Sequence, residues 1–295
     1  MPKTAGKFNS IMGKDSSTNV ISFQERLLKR TPLIMKPTKD PKAAEPRIIA
    51  VSSGKGGVGK TSIVANLGYV LSGLGKRVLI VDTDLGLGNL DVLLGITPKY
   101  NISHVFSGEK AIGDILVDGP GNMKVLPASS GIQALTHLTD LQMDFIHKQM
   151  LRIVSSFDAV LIDTAAGISS NVLYFNAGAQ DVCVVVTPDL TAITDAYALM
   201  KVLSIQYGTA GFRLLVNQVG NAGEAREIFN HLELVTRQFL DVSIQFMGHI
   251  LKDDNISRGV RSQKMVSDIY PRSPASECFK VVARQIYDTM ENQTH

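Results

Sequence analysis

Arg47-Ile48-Ile49-Ala50-Val51-Ser52-Ser53-Gly54-Lys55-Gly56-Gly57-Val58-Gly59-Lys60-Thr61 is the stretch on which the reading of this chain turns. Ile48 to Val51 is short, apolar and rich in β-branched residues, which predicts a buried strand. A glycine-dense turn follows, and Thr61 to Leu71 reads as a helix. Gly54, Gly59, Lys60 and Thr61 satisfy G-x-x-x-x-G-K-[ST] at every position. Backbone N–H groups close around a polyphosphate only where no Cβ intrudes, which accounts for Gly54, Gly56, Gly57 and Gly59. The helix N-terminus adds partial positive charge. Lys60 is expected to neutralise the β and γ oxygens, and the Thr61 hydroxyl to ligate Mg²⁺. The candidate cradle for ATP or ADP runs from Gly54 through Val58 to Ser62.

Lys55, directly after the first glycine, is a second lysine that the motif does not require. Taken alone it would be an ordinary solvated charge. The pattern Lys55-Gly56-Gly57-Val58-Gly59-Lys60-Thr61 instead resembles the deviant phosphate loop of the MinD/ParA family of P-loop ATPases. That resemblance implies that Lys55 reaches the nucleotide of a second subunit. Two chains would then sandwich two ATP molecules as a homodimer.

Two further strands carry the carboxylates that such a site needs. Arg77 to Asp82 reads as a buried strand, apolar from Val78 to Val81, and delivers Asp82-Thr83-Asp84 to the carboxyl edge of a sheet, where α/β proteins place ligands. One carboxylate there can organise the metal shell and another can orient the attacking water. Leu85-Gly86-Leu87-Gly88-Asn89-Leu90-Asp91 is similar to the switch region of MinD-type proteins. By that resemblance Asp84 orients the water, while Asp82 supports the metal or the switch. Ala159 to Ile162 is a second apolar run ending in a carboxylate, Asp163, about 100 residues after Lys60. Asp163 is expected to hold Mg²⁺ through water. Gly167 is expected to let the backbone approach the γ-phosphate. Phe212 to Asn217 reads as another strand, and the family resemblance makes Asn217 the candidate reader of the adenine edge.

The rest of the chain alternates β-branched runs with amphipathic ones. The expectations are strands over 123–127, 181–187 and 244–250, and helices over 140–155, 192–205, 222–240 and 276–290. Alternation of this kind predicts an α/β, doubly wound, mostly parallel sheet. The chain of 295 residues suffices for one such domain over 47–295, preceded by a flexible basic tail over 1–46. Lys and Arg number 30 against 27 Asp and Glu; the tail holds 9 and 4 of these, which leaves 21 and 23. The near-neutral body argues against sequence-independent DNA binding. Within the tail, Ser22 and Glu25 have capping-box spacing, and 22–30 is a candidate partner-binding helix.

Cys183 and Cys278 are too far apart for a C-x-x-C metal site. His137 and His147 lack spaced metal partners. The sequence shows neither a signal peptide nor a run of roughly 18 apolar residues, so the expected location is cytoplasmic. The helix near the C-terminus carries only Lys280 and Arg284 as cations. It reads as packed on the domain, with weak, nucleotide-gated contact at the inner face of the membrane as the competing reading.

Asp163-Thr164-Ala165-Ala166-Gly167-Ile168 and Tyr270-Pro271-Arg272-Ser273-Pro274-Ala275-Ser276 resemble the FlhG (FleN, YlxH) group of MinD-like ATPases. The resemblance implies slow ATP hydrolysis and control of flagellar number and placement. It also implies partners: the FlhF GTPase, flagellar basal-body components or a flagellar transcription regulator. Gln24, Leu28 and Lys29 partly match the segment through which that group activates FlhF, although the leading Asp and the Ala are missing. Competing readings are a division-site or DNA-segregation ATPase, an iron–sulfur carrier lacking its thiolates, and a small-molecule ligase or kinase.

Overall fold

The computed structural model describes residues 45–84, 88–128 and 138–292. The expected tail helix at 22–30, switch residues 85–87, the loop at 129–131 and His137 lie outside the described residues.

Eight strands form one sheet: β1 Arg47–Ser53, β2 Val78–Asp82, β3 Val117–Asp118, β4 Lys124–Leu126, β5 Ala159–Ala166, β6 Asp181–Val186, β7 Gly211–Val219 and β8 Ser243–Leu251. Their order is β3-β4-β2-β5-β1-β6-β7-β8. All neighbours are parallel except the short β3–β4 pair at one edge. The helices are α1 Lys60–Gly73, α2 Leu90–Leu94, α3 Ile102–Phe106, α4 Asp140–Met150, α5 Ser170–Ala177, α6 Leu190–Tyr207, α7 Ala222–Leu240, α8 Asp254–Arg261, α9 Val266–Ile269 and α10 Pro274–Glu291.

The central strands are apolar on both sides because helices cover both faces. Ile49 and Val51 point into a core shared with Ile63, Leu67 and Leu71 of α1 and with Phe279, Val282 and Ile286 of α10. Ile48 and Ala50 point the other way, towards Met143, Ile146 and Met150 of α4. Farther along that face, Leu199 and Leu203 of α6 and Leu232 of α7 close over β6 and β7.

The helix expected over 140–155 ends at Met150, followed by a tight 3₁₀ turn at Val154–Ser156. Its buried stripe is Met143, Ile146 and Met150, whereas Leu141 is exposed. The phase is set at the start, where Thr139 and Gln142 form a reciprocal capping box. β7 also runs past the expected end at Asn217, because Gln218 adopts a left-handed backbone (φ 60°) and the ladder resumes at Val219.

The C-terminal helix packs on the domain. Phe279, Val282, Ala283, Ile286 and Met290 are buried, and Ser273 caps it by accepting from the Ser276 N–H. Lys76 of the α1–β2 turn pairs with Glu291, and its ammonium lies 4.5 Å from the Tyr287 ring centre. The apolar side that membrane docking would need is therefore already in use. No helix among the described residues is long and apolar enough to cross a membrane.

Candidate functional site

The strand order decides which side chains meet. β5 lies between β1 and β2. Val51 of β1 and Asp82 of β2 both pair in register with Asp163 of β5. The glycine loop and two carboxylates thus emerge side by side at the carboxyl edge, although Asp163 stands about 100 residues after the loop in sequence.

Within the loop, Gly57 and Gly59 have φ of 78° and 93°, which L side chains adopt at a cost. A Cβ on Gly59 would lie 2.6 Å from Asn217 Nδ2, and one on Gly54 would lie 2.1 Å from the Asp195 carbonyl oxygen. Gly56 has more room, with only the Ala166 methyl at 3.9 Å. Lys60 is buried and donates to Ser53 Oγ at 2.7 Å, and Ser53 donates in turn to the Lys55 carbonyl at 2.6 Å. This relay folds the loop around the Lys60 ammonium. Val58 is buried beneath it, and Ser62 lies in the first turn of α1. The N–H groups of that turn have no acceptor inside the helix.

The carboxylates are crowded. Asp163 is 2% exposed, and its Oδ1 is buried with no hydrogen-bond partner. Burial pushes its carboxyl up to about 7, with nearby Asp84 adding to the shift. The hydrogen bond with the Thr61 side chain and the Lys60 charge oppose it. Asp82 is raised well above the usual range, first by burial and then by Asp163. Burial lowers Lys60. Thr83 donates its N–H and its hydroxyl to the Asp163 carbonyl at 2.9 and 2.8 Å, and the Asp84 N–H donates to Asp82 Oδ1 at 3.0 Å, so this corner is rigid.

Such a corner has more negative charge than one buried lysine offsets, and it leaves one carboxylate oxygen unpaired. The donor set of Thr61, Asp82 and Asp163 is all oxygen, which suits Mg²⁺. Among the described residues, no group of three His, Cys, Asp or Glu side chains could hold a metal ion by itself. Mg²⁺ does not need one, since it is commonly bound through one or two carboxylates, substrate phosphates and water.

Lys55 points away from Lys60. Its side chain is 37% exposed, and its ammonium donates to Asp189 Oδ2 at 2.8 Å and Thr191 Oγ1 at 2.7 Å. Asp189 also caps α6, and its pairing with Lys55 holds its carboxyl well below the ordinary range. A cleft of about 540 Å³ opens here, lined by Lys55, Gly57, Asp189, Gln218, Glu224 and Lys252. Asn217 is buried at its edge. One of its amide hydrogens goes to the Val58 carbonyl at 2.7 Å, and its oxygen accepts from the Gln218 N–H, so it braces the loop in this conformation. Gly167 (φ 92°) donates its N–H to the Ser53 carbonyl at 2.9 Å, joining the turn after β5 to the base of the loop.

Sequence reasoning did not find Asp189, Thr191 or Ser53. Asp189-Leu190-Thr191 after Pro188 is legible as a helix cap, but its partner stands 134 positions away. Below the loop, Asn176 donates to Ser52 Oγ, which shares a 2.6 Å hydrogen bond with Thr164. This buried polar network ties β1, β5 and α5 together just before the glycines begin.

Comparison with known proteins bears on the family and the fold. Residues 46–211 match the family model of an AAA domain. Antiactivator FleN of Pseudomonas aeruginosa is 43% identical over 81% of this chain and 86% of its own length. The flagellum site-determining protein YlxH of Helicobacter pylori is 32% identical over 83% of each chain. Among solved structures, the MinC:MinD cell division complex of Aquifex aeolicus matches with a TM-score of 0.68 and 26% identity, covering 82% of this chain and 96% of that one.

Proposed function

Because this chain belongs to the MinD-like P-loop ATPases, in their FlhG (FleN, YlxH) branch, we propose that it is a nucleotide-gated dimerising switch that regulates the number and placement of flagella. The observation that carries the reading is the opposed orientation of two lysines on one loop. Lys60 is buried inside its own site, while Lys55 is held at the surface by Asp189 and Thr191.

In this reading ATP binds with its phosphates against Gly54, Gly56, Gly57, Val58 and Gly59 and the first turn of α1, from Lys60 to Ser62. Lys60 neutralises the β and γ oxygens. Thr61, Asp82 and Asp163 would hold Mg²⁺, which would supply positive charge to offset that of the phosphates. The γ-phosphate orders the segments around Asp84 and Gly167. Asp84 positions the attacking water, and Asn217 reads the adenine edge by giving up its brace on Val58. Lys55 exchanges Asp189 for the phosphates of a second copy. Leu190 (80% exposed) follows Asp189, which lines the cleft beside Lys55, and would be covered in that pairing. Hydrolysis then returns single chains.

The names of the relatives support a flagellar role, and FlhF, a basal-body component or a flagellar transcription regulator is the corresponding class of partner. The buried side of α10 favours a cytoplasmic protein whose encounters with membrane run through partners. The test is light-scattering chromatography of the Asp84→Ala protein with Mg²⁺ and either ADP or ATP. A dimer with ATP alone, lost in Lys55→Ala, is expected. A single chain in every condition refutes the switch, and unchanged flagellar counts in a deletion strain refute the physiological role.

A further inference from the structure

A second cleft of about 430 Å³ opens at the opposite, amino edge of the sheet. β1 has seven residues, so this cleft lies roughly 20 Å from the glycine loop. Arg47 opens β1, Asp181 opens β6 and Arg213 lies near the start of β7. Parallel pairing of these three neighbouring strands brings the side chains together. Arg47 Nε donates to Asp181 Oδ2 at 2.5 Å, and Arg213 Nε donates to Asp181 Oδ1 at 2.9 Å.

One carboxylate thus serves two guanidinium groups, leaving a formal charge of +1. The side chains of Arg47, Asp181 and Arg213 are only 11%, 11% and 20% exposed. Each guanidinium carries five N–H donors in a planar fork. Only one on each, the Nε–H, has an acceptor among the described residues. The forks line the cleft with Gln180, Thr209, Ser243 and Gln245, which are polar and uncharged. Asn176 lines the same cleft and keeps a buried Oδ1 without a hydrogen-bond partner. Two largely buried cations, short of acceptors and facing a cleft of small-molecule size, form an oxyanion receptor.

We propose that this cleft binds a small oxyanion, a phosphate or carboxylate group on a small molecule, through the free guanidinium donors of Arg47 and Arg213. The purely structural reading is that the triad only ties three strand ends together. It explains the two Nε bonds but not the remaining donors. Asp181 orients both forks and limits the net charge, so an anion is held by directed hydrogen bonds. The binding is independent of the nucleotide loop and of the switch proposed above.

The experiment is titration calorimetry of the full chain with inorganic phosphate and, in a separate arm, malonate. Ionic strength is held constant, and saturating Mg-ADP keeps the glycine loop occupied. We expect saturable binding of one anion per chain in at least one arm, and the tighter arm identifies the group preferred. Arg213→Gln should weaken it at least tenfold. Ser243→Asp, a change at an exposed strand end, should do the same by placing a carboxylate at the cleft, and it keeps the test valid if Arg213→Gln fails to fold. A linear response in both arms overturns the proposal. So does saturable binding that survives Ser243→Asp unchanged, because the anion would then sit elsewhere, including beside the bound ADP.

Discussion

Asp163→Asn should make the nucleotide-free protein more stable at alkaline pH while removing its affinity for Mg-nucleotide. The side chain titrates near 7 in the folded chain and at 3.8 in its absence. A carboxyl raised on folding favours the folded state while protonated. That contribution is complete below about pH 4 and is lost as the pH rises towards 7. At pH 8 the ionised, buried Asp163 therefore costs up to roughly 4 kcal/mol, at 1.36 kcal/mol for each tenfold change in proton affinity. Asn has nearly the same shape, can still accept from Thr61, and removes that cost. Lys60 loses a counter-charge in the same exchange, so we expect about half the ceiling, ~2 kcal/mol. The assay is urea unfolding in EDTA at pH 5 and pH 8, with wild type and variant side by side. The gain should grow between the two pH values and be absent near pH 4. An Asn variant equally destabilised at both would show that Asp163 is comfortably ionised, and the argument for a cation site would lose its electrostatic basis.

Asp189→Asn should release Lys55 from its resting partner and lower the ATP concentration at which dimers appear in light scattering; an unchanged midpoint would mean that the Lys55–Asp189 contact does not compete with dimerisation. Gly59→Ala places a methyl 2.6 Å from Asn217 Nδ2 at φ 93°, so we expect ATP binding at least tenfold weaker by calorimetry together with a stability loss of about 1–2 kcal/mol. Phe279→Ala removes a fully buried ring from the core shared by α1 and α10 and should cost about 3–5 kcal/mol in urea unfolding; a loss below about 1 kcal/mol would indicate that α10 is free to leave the domain for a membrane.

What could be read without coordinates was whatever depends on neighbouring residues. Gly54 to Thr61 declares a loop because glycine, lysine and hydroxyl must stand within one turn of each other to hold a phosphate. Asp82 and Asp163 were legible because each ends an apolar run. The crossing of β5 between β1 and β2, which sets Asp163 beside Asp82 so that it raises the protonation of Asp82, depends on pairing across about 80 residues and leaves no local trace. The same holds for Asp189 beneath Lys55 and for Asp181 between Arg47 and Arg213. Each is a charge whose partner lies on a distant strand or helix, and each would pass in sequence for a cap or a surface residue. The two cases differ in what the fold does with them. At the carboxyl edge, burial leaves negative charge in excess beside a loop that is short of acceptors, a combination that magnesium and a triphosphate satisfy together. At the amino edge, the same strands leave positive charge in excess with unused donors. One parallel sheet thus presents sites of opposite demand at its two ends, and only the first carries a motif that announces it. The second follows from three strand starts being neighbours, so changing Asp181 alone would alter the charge of the amino-edge cleft without touching any residue of the glycine loop.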